Sequence, residues 1–383
     1  MHARPYLFIF APKNFYMEHP ENDKAYKGLK VNEGVEQPNS LNPYLSQMRR
    51  KRAPSLSVDD YVNGILRGDV TILSRAVTLI ESLLPEHQAL AQEVVERCLP
   101  HSGKSVRIGI TGVPGAGKST SIDSFGMHVL HEKGGKLAVL AVDPSSERSK
   151  GSILGDKTRM EQLSQQPNAF IRPSASAGSL GGVARKTRET IVLCEAAGYD
   201  TIFVETVGVG QSETAVYSMV DFFLLLQIAG AGDELQGIKR GIMEMADGIV
   251  INKADGNNIE EAKRAAVHYR NALQLFPMPQ SGIRPQVLTY SGFYNIGIKE
   301  VWDMIFGYID KVKESGFFEE RRHIQAKYWM YETIDEQLRN RFYNAHGMND
   351  LLAKYESMVL NGKITSFAAA GKLLEHYEKP NNG

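Results

Sequence analysis

Arg107-Ile-Gly-Ile-Thr-Gly112-Val-Pro-Gly-Ala-Gly117-Lys118-Ser119-Thr120 is the stretch that decides the fold. It is a short apolar run followed by a complete G-x-x-x-x-G-K-S motif, with a helical pattern starting near Ser119. A strand running into a glycine-rich turn and then a helix is the context in which this motif binds phosphate. Gly112, Val113, Pro114, Gly115, Ala116 and Gly117 supply backbone N–H groups that converge on phosphate oxygens without side-chain clashes. Ser119 and Thr120 open the helix, whose N-terminus adds partial positive charge. Lys118 is expected to reach the β- and γ-phosphates, and the Ser119 hydroxyl to ligate magnesium.

Working outward from this stretch, valine- and isoleucine-rich runs alternate with helical segments. The predicted strands are Val106–Thr111, Leu137–Val142, Ala169–Arg172, Thr201–Glu205, Phe222–Ile228, Gly248–Asn252 and Gln286–Tyr290. Near-continuous apolar strands separated by helices imply an α/β fold, a doubly wound, mainly parallel sheet covered on both faces. Such sheets bind ligands beyond the carboxyl ends of their strands.

Several polar residues fall at those ends. Asn252-Lys253-Ala-Asp255 follows one strand. The Asp255 carboxylate can accept hydrogen bonds from guanine N1 and N2, whereas adenine has no N2 amine and would leave it poorly paired. GTP is therefore favoured over ATP, and the turn Ser291-Gly292 closes the base pocket. Asp143 and Glu205 end two further strands, where acids hold magnesium directly or through its waters. Gly208 lets its N–H approach the γ-phosphate, and Asp156 is a further candidate for the metal shell. Gln211 and Glu213 are alternatives for orienting the attacking water. Catalysis is assigned to Lys118, Glu205, Asp156 and Gly208, and the metal to Ser119, Asp143, Asp156 and Glu205.

The 383-residue chain carries 44 basic and 44 acidic residues, so no global charge draws it to nucleic acid or an anionic membrane. No apolar run approaches the ~20 residues needed to span a bilayer. Two cysteines, Cys98 and Cys194, argue against a disulfide framework and for a reducing compartment, the cytoplasm. Residues 1–54 are polar and proline-containing after an apolar start. They read as a loose or over-extended arm rather than a signal, ending in the basic run Arg49–Arg52. Residues 55–100 read as three amphipathic helices: one capped by Ser57, one carrying Ile72 through Leu84 on its apolar face, one from about Glu86 to Leu99. A nucleotide-hydrolase domain then spans 101–316. Residues 317–383 form two long helices, 318–344 and 348–378, broken at His346-Gly347. Their apolar face must dock on the domain or pair with another subunit.

Longer stretches are more specific than the phosphate loop. Val142-Asp-Pro-Ser-Ser146, Gly155-Asp-Lys-Thr-Arg-Met160, the run from Glu205 to Glu213 and the run from Gly232 to Gly241 resemble the methylmalonyl-CoA mutase-associated GTPases over about residues 55–375. These are metallochaperone-like P-loop GTPases, grouped with nickel-enzyme maturation GTPases and once named arginine or ornithine transport kinases. The resemblance implies a homodimeric GTPase binding GTP or GDP with Mg2+. It would chaperone an adenosylcobalamin-dependent acyl-CoA mutase, gating cofactor loading and protecting or reactivating that enzyme, with a cobalamin adenosyltransferase as a further partner. It implies switch I from Asp143 to Asp156, switch II from Glu205 to Glu213, and a third switch in which Asp233, Glu234 and Lys239 relay nucleotide state. The C-terminal helices resemble a dimerisation arm. Two features depart from the family: Ser291-Gly292 stands where Ser-Ala is usual, and residues 1–50 match nothing. No D-x-H-x-x-G cobalamin signature occurs, so no tightly held cobalamin is expected. A nickel-type chaperone would need a histidine-rich tract, but the ten histidines are scattered. An amino-acid transport kinase would need a phosphate-acceptor site, of which the sequence shows no sign.

Overall fold

Seven strands, each an unbroken or nearly unbroken apolar run, assemble into one wholly parallel sheet in the order β3-β2-β4-β1-β5-β6-β7. They are β1 Val106–Gly112, β2 Leu137–Val142, β3 Ala169–Arg172, β4 Thr201–Thr206, β5 Phe222–Ile228, β6 Gly248–Asn252 and β7 Gln286–Thr289. The computed structural model describes residues 56–142, 160–172, 180–206, 212–230 and 240–378. Because successive side chains point to opposite faces, one strand feeds two cores. Ala138, Leu140 and Val142 of β2 join one hydrophobic cluster, while Leu137 and Val139 join the other.

The first cluster is covered by α1 (Val58–Leu66), α2 (Val70–Glu81), α3 (Pro85–Cys98) and α5 (Leu180–Ala196). The second is covered by α4 (Lys118–Lys133) and α9 (Ile298–Glu314), with the short α6 (Ser212–Tyr217) and α7 (Arg240–Met245) and the longer α8 (Ile259–Gln274) back on the first face. Ser57 and Asp60 form a reciprocal capping box on α1, and Asp69 caps α2 through the Thr71 and Ile72 amides. Leu83 and Leu84 do not continue the apolar face of α2 as the periodicity predicts. They are exposed, because Ser82 turns extended and Pro85 holds Leu84 out of the helical region.

Beyond α9 come α10 (Phe317–Tyr343), α11 (Met348–Leu360) and α12 (Ser366–Glu378). The predicted 348–378 helix is thus two, interrupted where Gly362 takes a left-handed φ of 67°. The first half of α10 is fastened to the entrances of the strands. Arg321 pairs with Asp247 at 2.9 Å, and Arg322 pairs with Asp221 at 2.7 Å while also donating to the carbonyls of Gly103 and Ser105. Gln325 donates to Val220 O at 2.8 Å, and the Trp329 indole N–H donates to Ser218 O at 3.0 Å. Arg321, Gln325 and Trp329 are four residues apart and so lie on one helix face. Past Trp329 the helix turns its apolar residues outward: Tyr331, Ile334 and Leu338 are exposed.

The Arg321–Asp247 pair is almost fully buried, with Tyr308 also donating to Asp247 at 2.9 Å. Removing one member of a buried pair strands the other charge in a low-dielectric site. Arg321→Ala is expected to lower unfolding free energy by about 3–5 kcal/mol. Urea titration checks this, and a loss under about 1 kcal/mol would show that the helix is anchored elsewhere.

Cys98 and Cys194 are both free and buried, and burial pushes the Cys98 thiol up to about 11.

Candidate nucleotide site

The phosphate loop starts inside the sheet. Gly112 is the last residue of β1 and pairs with Leu226 of β5, so the strand runs one residue past its predicted end. A Cβ there would stand 2.3 Å from the Leu226 carbonyl oxygen, which only glycine avoids. The chain then turns through Gly115 and Gly117, and Gly117 (φ 84°) leads directly into α4. The unpaired N–H groups of the first turn of α4 face the end of the sheet where the loop lies, the arrangement that favours bound anions.

Lys118, the first residue of α4, folds its ammonium back over the loop and donates to Gly112 O at 2.9 Å. Burial is the largest influence on this group and holds its pKa below the usual lysine value. The charges of Glu205 and Glu213 act in the opposite direction. Glu205 sits near the end of β4, in register with Ile110 of β1, and is buried. Glu213 lies in the first turn of α6 and is fully buried. A lysine held in a partly dry site within the field of two carboxylates is poised to exchange a carbonyl for phosphate oxygens, where its charge is worth more than in water. Thr206 donates to Thr111 at 2.8 Å and stitches β4 to β1 at this same end.

The base end is built from the next two strands. β6 ends at Asn252, whose buried amide donates to Ala116 O at 2.7 Å. Its Oδ1 accepts from Lys253 N at 2.7 Å and Gly292 N at 3.1 Å. Asn252 is therefore a strut joining the phosphate loop to both halves of the base loop. Lys253 takes a left-handed φ of 58°, a conformation non-glycine residues seldom adopt, and this turns the chain toward Asp255. Ser291 donates to Asp255 Oδ2 and also accepts from Tyr294 N at 3.3 Å. One carboxylate oxygen is thereby oriented by a protein hydroxyl.

The structure thus brings together Gly112 through Thr120, Glu205, Asn252, Lys253, Asp255, Ser291 and Gly292 at the carboxyl ends of β1, β4, β6 and β7. Asp143, Asp156, Gly208, Gln211, Asp233, Glu234 and Lys239 lie outside the described residues. Three contributors were missed in the sequence. Ser124 donates to Gly292 O at 2.8 Å, Ser121 approaches Asn252, and Tyr290 underlies the base loop. Ser121 and Ser124 follow the phosphate motif by less than two helical turns, so helical phase offered a signal for them. His128 packs edge-on against Trp302. Among the described residues no three His, Cys, Asp or Glu side chains cluster as a metal site.

This is the geometry of a nucleotide hydrolase. The family model described as Methylmalonyl Co-A mutase-associated GTPase MeaB matches residues 73–347. The chain belongs to this family. It is a GTPase, and it binds guanine nucleotide. It is 50% identical over 321 residues to a putative GTPase of Caulobacter vibrioides, spanning 84% of this chain and 98% of that one. It is 45% identical over 331 residues to the mouse protein named methylmalonic aciduria type A homolog, mitochondrial, covering 84% of this chain and 80% of the relative. A crystal structure titled LAO/AO transport system kinase superposes with a TM-score of 0.67 at 37% identity, over 83% of this chain and 97% of that one. The parallel sheet, phosphate loop and C-terminal helices of this GTPase accord with the predicted architecture. Among the described residues no helix is long and apolar enough to cross a membrane.

Proposed function

We propose that this GTPase is a nucleotide-gated chaperone of an adenosylcobalamin-dependent acyl-CoA mutase, with methylmalonyl-CoA mutase as the first candidate client. It would gate cofactor loading, receive cofactor from an adenosyltransferase, protect or reactivate the mutase in the cytoplasm, and hold no cobalamin tightly itself. The observation that carries the reading is the Lys118 site. Glu205 and Glu213, the two ends of the predicted switch II, both act on the same ammonium. When Lys118 moves from Gly112 O to phosphate, both ends of that segment lose part of their counter-charge. A segment whose two ends respond to phosphate has two states with different affinities for a partner, which is what gating requires.

Ser119 and Glu205 offer hard oxygen ligands beside the phosphate loop and fit magnesium, with Asp143 and Asp156 completing the set. When bound, the ion neutralises charge on the β- and γ-phosphates. Lys118 stabilises the transferring phosphoryl group, the Gly208 N–H senses it, and Asp233, Glu234 and Lys239 relay its presence to the client. The division into an arm (1–54), a helical region (55–100), the GTPase domain (101–316) and a dimerisation region (317–383) belongs to the same proposal. The outward apolar residues of α10 and α12, Tyr331, Ile334, Leu338, Phe367 and Leu374, support pairing with a second copy.

Phosphate release from GTP and from ATP, with and without the mutase of the same organism, tests the reading. GTP-selective turnover rising severalfold on adding mutase is the expected result. Turnover indifferent to every such mutase would leave a GTPase with another client.

A further inference from the structure

Tyr290 lies immediately beyond β7 and is almost fully buried, in a position no phosphate- or base-binding motif covers. Its backbone N–H donates to Ile251 O at 2.9 Å, and its carbonyl accepts from Ala254 N at 3.0 Å, inside the Asn252–Asp255 turn. Its ring stacks on Phe125 of α4, the helix that begins with Lys118, with centroids 4.9 Å apart and planes 20° from parallel. The ring tip also meets Gly292. A Cβ at Gly292 would stand 2.9 Å from Tyr290 Oη and 3.3 Å from Cε1 and Cζ. Gly292 is not among the glycines with positive φ, so the backbone conformation does not demand glycine. Space does. A flexible side chain would swing aside at little cost, but a buried ring stacked on Phe125 has nowhere to go.

The Gly292 peptide is held on both sides as well: its N–H by Asn252 Oδ1 and its C=O by Ser124 Oγ. Ser291, the preceding residue, grips Asp255. A displacement of Gly292 by a few tenths of an ångström therefore passes to the carboxylate that reads the base. The hydroxyl at the ring tip is buried beside Ser121 and Ser124 of α4, which act on it against the larger effect of burial, so the tip is closed in by α4 as well as by Gly292.

We propose that Tyr290 is a positioning residue for guanine recognition: packed against both Phe125 and Gly292, its ring sets the loop that holds Asp255, and Gly292 is the matching small residue that admits it. The pair is size-matched, a tyrosine ring accommodated by a glycine. The proposal rests on the reading of Asp255 as the guanine-binding residue.

Calorimetric titration with GDP and with IDP, which lacks the amine that Asp255 would read, tests both and separates them. Wild-type protein is expected to prefer GDP. Gly292→Ala overpacks the tip of Tyr290 and is expected to weaken GDP binding about tenfold, IDP binding less, so that the preference shrinks. Adding Tyr290→Phe to that variant removes the closest atom and restores most of the loss. Ser124→Ala, a gentler change that frees the Gly292 carbonyl, shifts the preference in the same direction. The proposal is overturned if Gly292→Ala or Ser124→Ala keeps the wild-type preference, or if the double variant is as impaired as Gly292→Ala alone. A wild-type protein with no preference for GDP would instead defeat the reading of Asp255, and this proposal with it.

Discussion

Lys118→Ala is expected to lower GTP turnover by about 10³-fold, more than any other single substitution in the site. Phosphoryl transfer leaves little covalent chemistry to the protein, so rate comes from placing charge where negative charge develops. Lys118 is the cation that the structure sets at the head of α4, over the phosphate loop, where the charges of buried Glu205 and Glu213 both act on it. Alanine removes the charge and leaves Glu205 and Glu213 near the phosphate loop without the ammonium that offset them. Repulsion from these acids should weaken nucleotide binding as well, so both KM and kcat are expected to suffer. Steady-state phosphate release, normalised to the folded fraction by circular dichroism, checks the result. Unchanged turnover would move the catalytic cation elsewhere.

Asp255→Asn is expected to exchange base preference rather than abolish binding. On the proposed reading the carboxylate accepts from the N1 and N2 donors of guanine; an asparagine presents one acceptor and one donor. Xanthine carries an acceptor where guanine has its amine and so complements the amide. A site built around a hydrogen-bonded partner rejects an analogue that leaves its groups unpaired, here by at least about a hundredfold. Ser291 should not undo the change, since its hydroxyl can serve the asparagine carbonyl as it serves Asp255 Oδ2. Calorimetry with GDP and XDP reads the exchange directly, and an unaltered preference for GDP would place the base site away from Asp255.

The two substitutions probe parts of the site that differ in how far sequence reveals them. The phosphate loop is local: Gly112 through Ser119 is contiguous, and its glycines, lysine and serine each meet a need set by their immediate neighbours. The base site is assembled from three separated segments. Asp255 is recognisable because Asn252-Lys253-Ala-Asp255 follows an apolar strand. The role of Asn252 as a strut to Ala116, 136 residues away in sequence, is invisible without the sheet order that sets β6 and β1 one strand apart. Tyr290 looks like any apolar strand terminus until Phe125 and Gly292 close on it.

Element boundaries divide in the same way. β2, β3, β5 and β6 agree with their predicted limits, because each is a short, mainly apolar run entered from a polar residue, Lys136, Asn168, Asp221 and Asp247 in turn. β1 runs on through Gly112 and β4 through Thr206, because their neighbours in the sheet supply further backbone partners. The break within 348–378 depends on the left-handed turn at Gly362, which interior helical glycines do not always take. Sequence by itself determined the parallel α/β class and the phosphate-loop motif, and singled out Asp255 as the proposed guanine-reading carboxylate, since each depends on periodicity or on residues close along the chain. Only the tertiary structure decided that buried Glu213 lies near enough to Lys118 to act on its charge, that Arg321 and Arg322 fasten α10 to the strand entrances, and that Tyr290 and Gly292 fit one another. Those are contacts between residues tens to more than a hundred positions apart or across a turn, and their existence depends on strand order and side-chain volume rather than on local pattern.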